Sequence, residues 1–332
     1  MTEDLSPIQT VPDPVLSERE LPLRRTFYPL GYPLVLETNS HDVIQAAEEA
    51  WGATEQMFAV EPVRVCLGVV EGDSESPLPV VPVYRAREHL MSIMAGPENF
   101  MLCDFHRGFA FGWVTRSTAA DHPLLRYQFL TAGAATLGEQ RALAPLHGAL
   151  VTRSGTGVML CGDSFAGKST LAYACARAGW TYVSDDSAFL VRDHEDRYAI
   201  GEPYSIRFRT DAPDLFGELA NHLPTVRPNG KIGVEVPTRD LGISTAPGCV
   251  VDHVVLLDRR PPDQPVPASI HRCAADRFRE DWVRCASLGT ADIRAAQRRC
   301  HERLLRAGLW EMRYSHLDDA VGRLERLVDG GA

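Results

Sequence analysis

Lysine is nearly absent from this chain. Of its 34 basic residues only Lys168 and Lys231 are lysine, and the other 32 are arginine. Positive charge as a whole is in deficit, because 44 acidic residues against 34 basic ones leave a formal net charge of −10. A nucleic-acid binder needs a basic face to neutralise phosphates, so this balance argues against that class. Long apolar runs are missing as well. No apolar stretch reaches the roughly 18 residues that a membrane-spanning helix needs. The eight cysteines, at 66, 103, 161, 175, 249, 273, 285 and 300, are scattered and form no C-x-x-C pair. They read as buried thiols of a reducing compartment rather than as a disulfide or zinc framework. Met1 to Pro14 has neither the basic nor the apolar region of a secretory leader. The expected location is the cytoplasm. The plain reading of the scarcity of lysine is codon composition. The two surviving positions are informative all the same, because arginine replaces lysine on a solvated surface but not at every phosphate site.

What is present is ordinary globular material. The apolar fraction is 45% of 332 residues, enough for two domains at about 150 residues each. Residues 1–25 are proline-rich with little apolar periodicity and read as a mobile leader. Residues 26–140 read as an α+β domain. Ser40 opens a helix that runs to Trp51, and a meander of antiparallel strands is expected over Val63–Val70, Pro79–Arg85, Leu90–Ala95, Asn99–Phe105 and Phe109–Thr115. A helix then runs from Asp121 or His122 to about Gly138. Residues 141–332 form the second domain. Gly148–Arg153 and Gly157–Cys161 flank Ser154-Gly155-Thr156 as a hairpin. A helix over Lys168–Ala178 and a strand over Thr181–Ser184 follow. Ser187–Val191 and Tyr198–Ile200 make a second hairpin. Leu215–His222 reads as a short helix and Val250–Asp258 as an apolar strand. The C-terminal part is helical over Ala275–Cys285, Ala291–Ala307 and Leu317–Val328.

The strongest motif is Gly162-Asp163-Ser164-Phe165-Ala166-Gly167-Lys168-Ser169-Thr170. It satisfies G-x-x-x-x-G-K-[ST] and stands between an apolar strand, Val158–Cys161, and a helix. Glycine lets the backbone curl so that successive N–H groups point at phosphate oxygens. The helix start adds unpaired N–H groups and a positive dipole end. Lys168 is a compact charge that reaches the β- and γ-phosphates of ATP, and Ser169 offers a hydroxyl to Mg²⁺. Asp185-Asp186 closes the next strand, and a strand–loop–helix–strand unit returns that end to the carboxyl edge of the sheet beside the loop. Two adjacent carboxylates point in different directions. One can bind Mg²⁺ while the other accepts a proton from an attacking hydroxyl. An ordinary acidic turn is the competing reading. His147, placed at the start of the strand before the loop, can hydrogen-bond one of the two.

The stretch His147-Gly148-Ala149-Leu150-Val151, Gly162 to Ser169 and Val183-Ser184-Asp185-Asp186 resembles the catalytic domain of HPr kinase/phosphorylase. The resemblance covers roughly residues 145–217. It implies an α/β P-loop kinase domain related in fold to HPr kinase and phosphoenolpyruvate carboxykinases, preceded here by the α+β N-terminal domain. It implies an ATP- and Mg²⁺-dependent serine kinase acting on a protein or peptide. Asp185 then resembles the base that takes the serine proton. Asp186 resembles the Mg²⁺-side carboxylate, with His147 as its neighbour. Family analogy also implies a homo-oligomer. Departures from the family pattern are specific. Phe165 stands where glycine is usual, and Thr170 where an acidic residue is usual. Ser205-Ile206-Arg207-Phe208 lacks the Glu that opens the family's E-x-R-G signature, and Glu202 comes three residues early. These departures point away from HPr as the acceptor, and a small peptide encoded by a neighbouring gene fits better.

Arg207 and Arg209 alternate along a strand and share a face. Two guanidinium groups there suit a polyphosphate or an acidic segment, and a solvated edge is the plain alternative. Lys231 follows Asn229-Gly230 at a strand entry, where it is within reach of nucleotide phosphates or simply solvated. Two further function classes stay open. One is a small-molecule or carboxykinase-like kinase, and the other is a non-catalytic nucleotide-sensing regulator.

Overall fold

The structure is a computed structural model that describes residues 20–70, 82–163, 165–192, 194, 196–226, 232–261, 265–279 and 288–330. Lys231 and Ser164 lie outside the described residues, as does most of the helix expected over Ala275–Cys285. The chain divides into two compact units, residues 1–85 with 90–137, and residues 86–89 with 138–332.

The first unit is built on a seven-stranded sheet. Its strands are β1 (Leu23–Phe27), β2 (Leu34–Thr38), β3 (Val63–Val70), β4 (Val83–Arg87), β5 (Leu90–Met94), β6 (Phe100–Asp104) and β7 (Phe109–Thr115). Their order is β1-β2-β3-β7-β6-β5-β4. Strands β5, β6 and β7 form the expected antiparallel meander, but β2–β3 and β3–β7 pair in parallel, so the sheet is mixed. Residues 23–25, read as leader, are part of the edge strand β1. Proline density outweighed the strand propensity of Leu-Arg-Arg-Thr-Phe in the sequence reading. Helix α1 (His41–Trp51) buries Val43, Ala46, Ala47 and Trp51, one stripe at helical spacing. Thr115 caps α2 (Arg116–Ala120), accepting from the Thr118 N–H. Asp121 caps α3 (His122–Leu125), which continues through a wide turn at Arg126–Thr131 into α4 (Ala132–Arg141).

The second unit has a nine-stranded mixed sheet. Its strands are β8 (Leu143–His147), β9 (Ala149–Arg153), β10 (Thr156–Cys161), β11 (Thr181–Ser184), β12 (Ser187–Val191), β13 (Tyr198–Gly201), β17 (Gly248–Arg259), β18 (Ser269–Arg272) and β19 (Gly308–Tyr314). A small separate sheet holds β14 (Ser205–Phe208), β15 (Thr225–Val226) and β16 (Ile232–Pro237). Helices α5 (Lys168–Arg177), α6 (Ala212–Leu215), α7 (Ala291–Leu304) and α8 (Leu317–Val328) complete it. The segment read as a helix over Leu215–His222 is instead α6 followed by a 3-10 turn at Gly217–Asn221.

Alternation along the central strands builds two cores. Val158 and Leu160 of β10 pack with Leu171 and Cys175 of α5 and with Leu324 and Leu327 of α8. Met159 and Cys161 face the opposite side, with Cys300 and Leu304 of α7. Helices therefore cover both faces, as a sheet with parallel central strands requires. Those parallel pairs are β10 with β17 and β17 with β19. Their carboxyl ends lie together, at Cys161, at Leu257–Arg259 and at Tyr314. No disulfide joins the described cysteines. Among the described residues no helix is long and apolar enough to cross a membrane.

Candidate functional site

The Gly162–Ser169 loop leaves the sheet at this carboxyl edge. Gly162 has φ 145° and Gly167 has φ 91°, both conformations that favour glycine. A Cβ on Gly162 would stand 2.8 Å from the Ala166 methyl, and one on Gly167 would stand 2.7 Å from the Tyr314 hydroxyl. Each glycine is thus required both by backbone angle and by space. The Tyr314 hydroxyl donates to the Ala166 carbonyl at 3.2 Å, fastening the loop to β19. Ala166 N–H closes a turn on the Asp163 carbonyl at 3.1 Å. Gly167 is the N-cap of α5 and supplies no side chain, so no side-chain cap covers the helix start.

Lys168 is buried, and its Nζ donates to the carbonyls of Gly162 at 2.8 Å and Asp163 at 3.2 Å. The ammonium therefore lies back across the loop. Ser169 Oγ donates to the Asp185 carbonyl at 3.3 Å and ties the start of α5 to the end of β11. Thr170, on the same turn, is partly exposed.

The two aspartates differ sharply in surroundings. Asp185 is 7% exposed. Its Oδ2 accepts the Arg207 N–H at 2.9 Å, and the Tyr182 hydroxyl also bonds to the carboxylate. Burial pushes its pKa from the ordinary 3.8 up to about 6. The Arg207 N–H, the Arg207 charge and Tyr182 pull the other way, while the neighbouring Asp186 adds to the rise. Asp186 has a half-exposed side chain, with Oδ1 at 3.5 Å from His147 Nδ1. The backbone brings them together, because His147 ends β8 opposite Ser187 and the Gly148 N–H donates to the Asp186 carbonyl at 3.1 Å. His147 is thus the last residue of its own strand, not the first residue of the strand before the loop. Gly148 separates the two strands.

Four residues that the sequence motifs did not mark as site residues join this edge. Tyr182 bonds Asp185 and reaches the Ser205 carbonyl at 3.2 Å. Ser205 Oγ donates to Glu235 at 3.1 Å, and the Arg207 guanidinium lies 3.8 Å from the same carboxylate. Burial raises the pKa of Glu202, opposed by Arg207 and reinforced by Glu235. Two carboxylates, Glu202 and Glu235, therefore flank Arg207, although Ser205 itself has none. Alternation was the available sequence signal for Arg207, and nothing local marked Glu235. Finally, Phe165 is 73% exposed with φ 77°, and the Arg209 guanidinium carbon sits 3.4 Å from its ring centroid. A left-handed backbone costs a non-glycine residue about 1–2 kcal/mol.

The Asp185 environment makes a stability prediction. A raised carboxyl pKa means that the folded state holds the proton more tightly than the unfolded chain. Its contribution is intact below about pH 4 and is lost as pH rises to about 6. Asp185→Asn should therefore be more stable than the parent by about 2–3 kcal/mol at pH 7. The difference should fade below about pH 4. Denaturant melts at both pH values read this directly, and equal midpoints at pH 7 would refute it.

No family model matches the chain. Over 95 residues, 28% of its length, the chain is 37% identical to the HPr kinase/phosphorylase of Halalkalibacterium halodurans. The chain spans about a quarter, 26%, of the length of that curated relative. Among solved structures, the Hpr(Ser) kinase/phosphatase from Coxiella burnetii aligns with 56% of this chain and 99% of its own. That alignment has 15% identity and a TM-score of 0.28. Over those 95 residues the chain is similar to an HPr kinase/phosphorylase.

Proposed function

We propose that this chain is an ATP- and Mg²⁺-dependent kinase that moves the γ-phosphoryl group to a serine hydroxyl of a protein or peptide. The observation that carries the reading is the meeting of Lys168, Ser169, Asp185 and Asp186 at the carboxyl edge of β10 and β11. The loop fits polyphosphate, since Gly162 and Gly167 let its backbone curl at φ 145° and 91° and the start of α5 carries no side-chain cap over its N–H groups. Lys168 would exchange its carbonyl partners for phosphate oxygens, and the loop from Asp163 to Thr170 would wrap them.

The residues also fit Mg²⁺. Among the described residues no group of three His, Cys, Asp or Glu side chains is set to hold a metal. Mg²⁺ does not need one, because it binds through one or two side chains, phosphates and water. Ser169 and Asp186 would hold it. When bound, Mg²⁺ neutralises charge on the β- and γ-oxygens.

In transfer, the bond from the γ-phosphorus to the β–γ bridging oxygen breaks and a bond to the serine oxygen forms. ADP leaves, and the serine proton passes to Asp185. A carboxyl group with a pKa near 6 is ionised at neutral pH yet basic enough to share that proton. His147 orients Asp186 from its exposed side. Positioning and fixed charge supply most of the acceleration. The departures at Phe165 and Ser205 support an acceptor other than HPr, and a peptide encoded nearby is the first to test.

The experiment uses γ-labelled ATP with neighbouring gene products and with HPr as a control. Label in an acid-stable phosphoserine of a neighbouring product is the expected result. Consumption of ATP only with a metabolite present would favour a small-molecule kinase. ATP that is bound and recovered unhydrolysed would favour a nucleotide sensor.

A further inference from the structure

Phe165 combines two unfavourable features that the fold does not demand. Its ring is 73% exposed and packs in no core, and its φ of 77° is one that glycine would adopt freely. Strain retained in a loop of this kind points from the outlier toward function. Among the described residues its ring contact is Arg209, whose guanidinium carbon lies 3.4 Å from the ring centroid. A guanidinium stacked by its face keeps the N–H groups of its rim available for an anion.

The position of Arg209 is set by the same elements that build the site. It directly follows β14, whose Arg207 N–H holds Asp185. The Asp185 carbonyl in turn accepts Ser169. Phe165 itself lies between the two glycines of the loop. The guanidinium therefore stands on the loop's exposed side, at its tip. Among the described residues no carboxylate pairs with Arg209, whereas Arg207 faces Glu235 and Arg177 faces Glu218.

We propose that Phe165 and Arg209 form an anion clamp in which Arg209 contacts a terminal phosphate of the nucleotide and Phe165 holds the guanidinium in place. The clamp rests on the nucleotide-binding reading of the loop. It adds a cation from outside the loop to the one supplied by Lys168. Arginine suits this outer role because its planar group stacks and donates at once, and lysine suits the inner role as a point charge. Phe165 is a positioning residue here, and only Arg209 touches the ligand.

Calorimetric titration of the full chain with inorganic tripolyphosphate tests the clamp without depending on transfer. Arg209→Ala should weaken binding about tenfold or more, the usual size for losing a hydrogen bond to a charged group. Arg209→Lys should restore only part of it. Phe165→Gly should also weaken binding, while its thermal midpoint holds or rises because the backbone strain is gone. That split is one that a purely structural stack would not produce. Wild-type affinity in both Arg209→Ala and Phe165→Gly, with binding lost in Lys168→Ala, would overturn the clamp and leave the loop reading intact. Failure of the parent chain to bind tripolyphosphate would overturn both. Unchanged tripolyphosphate affinity with weakened binding of an acidic peptide would overturn the clamp in favour of acceptor docking.

Discussion

Lys168→Ala is expected to lower ATP affinity about 10- to 100-fold, the range for losing a charge-assisted hydrogen bond. Transfer should drop by a further factor of about 10²–10³, since the lost cation faces charge that develops in the transition state. The side chain is 8% exposed and lies against the carbonyls of Gly162 and Asp163, so its charge is already desolvated and aimed into the loop. Lys168→Arg is the sharper variant. The guanidinium is broader than an ammonium and planar, and it cannot stand as a point charge against the carbonyls of Gly162 and Asp163 as the ammonium does. It should bind ATP no better than the alanine variant. Calorimetry for binding and labelled ATP for transfer measure both, with circular dichroism as the folding control. Wild-type turnover in Lys168→Arg would remove the point-charge argument, and with it the explanation of why lysine persists here in a chain that otherwise uses arginine.

The parts of the fold that were legible in the sequence are those where one residue type has a local geometric duty. The hairpin at Ser154-Gly155 is one, since both residues take positive φ and the flanking strands alternate. The loop is another, because its glycines answer to a Cβ clash and to backbone angle. Helix α5 could be placed from its apolar spacing and its stop at Gly179, which has φ 89°. What was illegible is non-local. Strand β10 pairs in parallel with β17, about ninety residues later, and nothing near Val158 encodes that partner. Strand β19 was missed altogether. Its alternation is brief and follows a helix rich in arginine, yet Tyr314 at its end secures the loop. His147 shows the same limit at the scale of one residue. Its identity was readable, but its strand was not, because the pairing of β8 with β12 is what sets it opposite Ser187. Glu235 and the stack of Arg209 on Phe165 depend on the fold of a separate small sheet, which sequence spacing does not specify.

Asp185→Asn should bind ATP as the parent does and lose transfer by about 10²–10⁴, the range for removing a general base. The amide keeps an oxygen for the Arg207 N–H, which bonds Asp185 at 2.9 Å, so the site geometry survives. The parent's transfer rate should rise with pH through about 6, where the carboxyl ionises. Residual activity of the variant should lack that step. The same substitution removes a buried carboxylate held against desolvation, so the variant is expected to be more stable and less active at once. A general loss of folding would lower stability and activity together, and a neutral site would change neither. Asp186→Asn separates the pair. Its carboxylate is half-exposed beside His147, so its loss should raise the Mg²⁺ concentration needed for half-maximal transfer. The pH step should stay in place. If instead Asp186→Asn erases the pH step and Asp185→Asn leaves it, the exposed carboxylate is the base. Asp185 would then be the group that fixes β11 against β14.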